Sequence, residues 1–167
     1  MNDLFCPSCE REAQTEAVYP VACSCGGLWS VRDPSSLRLG EAAGATAAAP
    51  TPLWPDPVDP GLLWKREDLQ RTGSFKDRGA ELLALLAAGA GARRAVVDSS
   101  GSAALAAASA GARAGLAVTV HTPAHLPQAK RDALAVLGAH VEAAGDRGAA
   151  AARAREAAGR EFYFSHV

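Results

Sequence analysis

Aromatic side chains are scarce, 5% of the chain, and methionine occurs once. There is no platform of ring faces on which nucleic-acid bases would stack. Neither charge sign is in excess. The formal net charge is −1, which gives neither nucleic acid nor an anionic membrane surface a field to follow. No apolar run reaches the ~20 residues that a membrane-spanning helix needs, and no charged-then-apolar leader opens the chain. These absences make nucleic acid and membrane unexpected as partners, and the cytoplasm the expected location. The histidines His121, His125, His140 and His166 have no metal-ligand spacing among themselves. His121 falls at the end of an expected strand, where a surface position is the ordinary outcome. Cysteine is absent beyond position 25.

What is present begins with those cysteines. The chain reads Cys6-Pro7-Ser8-Cys9, then Cys23-Ser24-Cys25-Gly26-Gly27. Two close pairs, thirteen residues apart, can wrap one tetrahedral Zn2+ with four thiolates. The glycines suit a knuckle whose backbone turns sharply toward a metal. The second pair is C-x-C, one residue tighter than the usual C-x-x-C. Two disulfides or four free thiols are the alternatives, but disulfides need an oxidising compartment. The expectation is a structural zinc held by Cys6, Cys9, Cys23 and Cys25, with no open position for chemistry. By itself such a ribbon could equally be a protein- or nucleic-acid-binding knuckle.

The 167 residues, 49% hydrophobic and 21% charged, suit one ordinary soluble domain plus a small module. Residues 1–31 read as the zinc ribbon. Residues 32–60 read as a linker or extended segment, with Pro34, Ser35 and Ser36, an Ala/Gly stretch, then Pro50, Pro52, Pro55, Pro57 and Pro60. From 61 the pattern changes to strands alternating with helices. Strands are expected over Leu62–Lys65, Ala95–Asp98, Leu116–His121, His140–Ala143 and Glu161–Ser165. Helices are expected from Lys76 to near Gly89, over Ser102–Ala114, from Pro127 to about Leu137 with Gly138 closing it, and over Asp146–Ala158. Such alternation predicts an α/β fold, a parallel sheet with flanking helices. Ligands of such folds gather at the carboxyl ends of the strands.

One stretch organises the rest: Thr72-Gly73-Ser74-Phe75-Lys76-Asp77-Arg78-Gly79-Ala80. A single lysine stands between a Gly-Ser entry and an Arg-Gly exit, at the mouth of an apolar helix. By position alone it is a surface residue, its charge slightly misplaced against the helix dipole. A partly desolvated amine, however, gives up its proton more readily and can attack a carbonyl. The whole string resembles the S-F-K-D-R-G motif of the threonine synthase and serine/threonine dehydratase group of pyridoxal-phosphate enzymes. Leu63-Trp64-Lys65-Arg66-Glu67-Asp68-Leu69 resembles the K-x-E-x-L segment leading into it, and Thr51-Pro52-Leu53 the group's upstream T-P-L. The resemblance implies the tryptophan synthase β-type fold and makes Lys76 the residue that carries the cofactor, with Phe75 beside it.

Asp98-Ser99-Ser100-Gly101-Ser102 follows a strand and opens a helix. Backbone N–H groups at a helix start, with small hydroxyls, can cradle an anion; an ordinary serine-rich N-cap is the alternative. The same resemblance assigns Ser99, Ser100 and Gly101 to the substrate carboxylate. It puts Ser102 at the cofactor-contacting position where the family has Asn, and a serine hydroxyl is shorter and offers one donor. Family members are roughly twice this length, so the chain is expected to be a partial one, bearing the lysine but no glycine-rich phosphate loop. The implied activity is that of a threonine synthase-like lyase converting O-phosphohomoserine to threonine and phosphate. The alternatives are a threonine/serine dehydratase-like ammonia-lyase, a cysteate synthase-like β-replacement enzyme, and a non-catalytic remnant or zinc-ribbon binding module. The expected partners are an amino-acid substrate and either a second copy of the chain or a chain supplying the other half.

Overall fold

The computed structural model of the chain describes residues 4–12, 23–27, 30–32 and 48–164. Pro34, Ser35 and Ser36, and the residues from Ser165 onward, lie outside them.

Short β-branched runs form a single parallel sheet. Its strands are β5 (Arg94–Asp98), β6 (Ala117–Pro123), β7 (His140–Ala144) and β8 (Phe162–Tyr163). Their spatial order is β7-β6-β5-β8, every pairing parallel. Parallel neighbours need crossovers. Here these are α2 (Ser102–Arg113), α3 (Gln128–Val136) and α4 (Arg147–Ala157), while α1 (Lys76–Gly89) precedes β5. Gly138 takes φ +75° just beyond α3, the left-handed turn that ends a helix where other side chains are strained. Pro127 sits one residue outside α3, at its N-cap, because its ψ of 142° is extended.

The order of the strands decides where the helices go. The chain steps from β5 to β6 to β7, then returns past β5 to β8. With right-handed crossovers, the returning helix must lie on the opposite face. Accordingly Ala154 and Ala158 of the α4 segment pack on Val96 and Tyr163. Ala80, Ala84 and Ala87 of α1 and the alanines of α2 pack on Ala95, Val97, Val118 and Val120 of the other face. Such a reversal of strand order marks the usual ligand position of an open α/β sheet, at the carboxyl ends of its strands.

Burial of both faces overturns one expectation. His121 is 5% exposed, not a surface residue, because α4 covers the face on which it lies. Its Nδ1 is 3.4 Å from Glu142 Oε2 on the neighbouring strand, without hydrogen-bond geometry.

Two small antiparallel pairs precede the sheet. β1 (Leu4–Phe5) pairs with β2 (Ser30–Val31), and β3 (Leu53–Pro55) pairs with β4 (Leu63–Lys65). β3 falls in the proline-rich stretch, where little regular structure was expected. Pro55 closes the strand, where its missing N–H costs nothing. Asp56 then organises the hairpin turn, accepting the N–H groups of Val58 and Asp59 at 2.8 and 2.9 Å and Trp64 Nε1 at 2.7 Å. None of the described helices is long and apolar enough to cross a membrane.

Candidate active site

Lys76 is the first residue of α1, and the turn before it is tied down from two directions. Gly73 takes φ +75°, open to glycine at no steric cost. Asp77 is 2% exposed. Its Oδ2 accepts the Thr72 N–H at 2.8 Å and its Oδ1 the Thr72 hydroxyl at 2.9 Å. One buried carboxylate thus fastens residue 72 to the helix five residues on. Burying such a charge is costly unless it is hydrogen-bonded in this way.

The second restraint comes from Arg78, whose planar fork reaches back to the 3-10 turn Glu67–Leu69. Nε donates to Glu67 Oε2 at 2.8 Å and Nη2 to Glu67 Oε1 at 2.7 Å. This is the bidentate geometry in which arginine is strongest. Thr51, 7% exposed, donates its hydroxyl to Glu67 Oε1 at 2.6 Å and accepts from Arg78 Nη2 at 3.0 Å. The Arg78 bonds, with the Thr51 hydroxyl adding, lower the Glu67 carboxyl to about 2. The network therefore joins the β3–β4 hairpin, the 3-10 turn and the entry of α1.

Lys76 itself is half-buried. Its Nζ lies 5.0 Å from the centroid of the Phe75 ring, and no carboxylate among the described residues pairs with it. Phe75 is 60% exposed. A positioned amine with no anionic partner can act as nucleophile and proton carrier.

The loop after β5 is also pinned. The Ser99 N–H donates to His121 O at 3.1 Å and the Gly101 N–H to Ser99 Oγ at 3.2 Å. Those two donors are engaged, whereas the N–H groups of Ser100, Ser102 and Ala103 have no acceptor among the described residues. Ser99, Ser100 and Gly101 line a cavity of about 360 Å3 with Asp98, Pro123, Lys130, Arg147 and Ala150. Lys76, Phe75 and Ser102 do not line it. Lys130 Nζ donates to the Ser100 carbonyl at 3.2 Å. Tyr163 donates its hydroxyl to Asp98 Oδ1, and burial together with that bond pushes its phenol above the usual range. The sequence reading missed Lys130 and Arg147. Their signal was position, since each lies in the first turn of a helix that begins beyond a strand's carboxyl end.

The four cysteines converge away from the sheet. Their sulfurs all lie within 4.8 Å of one another, with Cys6–Cys25 and Cys9–Cys23 at 3.5 Å. Four thiolates at ~2.3 Å from one zinc stand roughly 3.8 Å apart, so the donor set fits a tetrahedral ion. All four are free thiols. A hydrogen bond from the Cys25 N–H lowers the Cys23 thiol to about 7, against the opposing effect of burial. A Cβ on Gly27 would meet Cys6 Sγ at 2.6 Å, so this cluster requires a glycine there.

With this geometry in hand, comparison with known proteins is decisive for the family. Residues 45–167 match the family model of the pyridoxal-phosphate dependent enzymes. The chain belongs to this pyridoxal-phosphate-dependent enzyme family. Among solved structures it resembles the processed form of threonine deaminase isoform 2 from Solanum lycopersicum, at 28% identity and a TM-score of 0.62, over 78% of this chain and 40% of that one. It also resembles a pyridoxal 5'-phosphate-dependent aspartate racemase, at 29% identity and a TM-score of 0.59, over 74% of this chain and 42% of that one. The chain thus spans about two fifths of the length of these relatives. Comparison with curated proteins gives no match. The family's cofactor suits the residues present in two respects. Lys76 offers an amine without a competing carboxylate, and the start of α2 offers free N–H donors to an anion.

Proposed function

We propose that this chain is the lysine-bearing part of a pyridoxal-phosphate-dependent enzyme acting on an amino acid, with threonine synthase-like lyase chemistry as the leading reading. The observation that carries the proposal is Lys76: an amine that no carboxylate among the described residues pairs, on the turn that Asp77 and the Arg78–Glu67 pair tie down. Bound at Lys76, pyridoxal phosphate supplies an electron sink for the charge left at an amino acid's Cα when a bond there breaks. This chain's own residues do the rest. Lys76 Nζ holds the cofactor and, once released, takes and returns the proton at Cα. The N–H groups of Ser100 and Ser102, with the hydroxyls of Ser99 and Ser100, orient the substrate carboxylate. Ser102, at the head of α2, offers the cofactor one hydroxyl. Asp77 and Glu67 keep the lysine in place without touching substrate.

The cysteine cluster supports a structural zinc held by Cys6, Cys9, Cys23 and Cys25. Residues 1–31 resemble the short cysteine-rich N-terminal ribbons found in part of the threonine synthase-like group, which mildly favours that reading. The likeness to threonine deaminase favours a dehydratase-like ammonia-lyase equally, and the likeness to aspartate racemase keeps racemisation within the same lysine chemistry.

The test is titration of the full chain with pyridoxal phosphate, followed by borohydride trapping and peptide mass analysis. We expect a visible absorption band and a pyridoxyl adduct on Lys76, both lost in Lys76→Ala. Absence of a Lys76-dependent band would favour the non-catalytic reading. With loading established, phosphate released from O-phospho-L-homoserine supports threonine synthase, whereas ammonia released from L-threonine supports the dehydratase.

A further inference from the structure

We propose that the cavity bounded by the Ser99–Gly101 loop, α3 and α4 is a binding site for a small phosphate-class dianion, with Lys130 and Arg147 as its charged ligands. Neither side chain has been given a role so far; the cavity shares the Ser99–Gly101 loop with the proposed carboxylate cradle, while Lys76 does not line it.

The argument begins with charge. Arg147 is the first residue of α4, the end at which the helix dipole disfavours a cation. It is exposed and has no acceptor among the described residues. Lys130, in the first turn of α3, lines the same cavity, and its single described bond is to the neutral Ser100 carbonyl. The one carboxylate in the lining is Asp98, and one of its oxygens is already taken by the Tyr163 hydroxyl. Two cations thus line one cavity beside two helix starts, and no described carboxylate pairs with either.

Shape and donors then narrow the occupant. An arginine fork together with a lysine point charge suits a tetrahedral oxyanion, the arginine bidentate and the lysine through charge. The cavity, about 360 Å3, greatly exceeds the ~30 Å3 share of one water, which leaves room for a small organic group attached to the phosphate. Free phosphate and a small phosphate monoester share the chemistry that Lys130 and Arg147 would read.

The experiment uses the full chain at low ionic strength. Inorganic phosphate and O-phospho-L-serine are titrated separately by calorimetry against the wild type, Arg147→Gln, Lys130→Gln and, as control, Arg160→Gln, an exposed cation outside the cavity. We expect saturable one-to-one binding by the wild type and Arg160→Gln. Arg147→Gln and Lys130→Gln should each weaken it by about tenfold or more, as expected for loss of a charge-assisted contact. Arg147→Gln removes no described contact, so an unchanged melting temperature separates lost binding from lost folding. Equal affinity for the two probes means the site reads the dianion alone; tighter binding of the ester means it reads the attached group as well. Either result upholds the proposal. Absence of saturable binding to the wild type, or equal binding by all four proteins, overturns it. Because no pyridoxal phosphate is added, the outcome is independent of the Lys76 titration.

Discussion

Asp77 does more for the lysine than its place in the motif suggests. It is buried, anionic, and satisfied by a single residue, Thr72. Asp77→Leu keeps roughly the size but removes both acceptor oxygens, leaving the part-buried Thr72 N–H without its partner. A buried partner left unpaired costs about 1–3 kcal/mol. We expect that loss in urea unfolding, together with a larger proportional loss of pyridoxal trapping at Lys76 than the stability change explains. Glu67 makes a separate residue-scale prediction through pH. Its carboxyl is lowered from 4.5 to about 2, chiefly by Arg78. A depressed acid stabilises the folded state above its unfolded value and loses that contribution as pH falls toward its folded value. The melting temperature of the wild type should therefore exceed that of Glu67→Gln at pH 6. The gap should close between about 4.5 and 2. A gap that stays constant over that window would refute the Glu67–Arg78 account.

At the scale of elements, α2 is built from small residues so that it can approach the sheet closely. A methyl group added at Gly111 would overlap Val118 Cγ2 on β6. Helix propensity alone favours Gly111→Ala by about 1 kcal/mol, whereas overpacking a rigid β-branched neighbour costs about 1–3 kcal/mol. The expected outcome is net destabilisation, seen as a lower thermal midpoint; a stabilised variant would show that α2 can move away. β4, the strands of the parallel sheet, the helices and the lysine-bearing turn were legible because each carried local signals: β-branched runs, Gly138 past a helix, Pro127 before one. β3 was not legible, since the prolines around it mask a strand whose pairing depends on β4 ten residues further on. His121 was misread because the cover provided by α4 depends on the strand order, and strand order is non-local. Lys130 and Arg147 were missed for the same reason: their shared cavity exists only once α3 and α4 start at one edge of the sheet.

At the scale of the whole chain, the thiol cluster and the sheet make distinct predictions. Protein expressed with zinc should retain close to one zinc per chain by elemental analysis. Cys6→Ser or Cys23→Ser, each replacing a buried ligand, should reduce that content severely. A strong chelator should unfold the cysteine module while the parallel sheet keeps its far-UV circular dichroism, because the sheet's core contains none of those cysteines. Simultaneous loss of both signals would mean that the module and the sheet stand or fall together.

The β3–β4 hairpin has a practical consequence. Trp54 and Trp64 face each other across its two strands, the first stacked under Arg66 at 4.2 Å and the second bonded to Asp56. Thr51, just before β3, is joined through Glu67 and Arg78 to the entry of α1. Two of the chain's three tryptophans are therefore wired to the lysine turn. Their fluorescence is a built-in optical gauge, and a shift in its intensity or colour when a ligand reaches Lys76 would time the event without any attached dye.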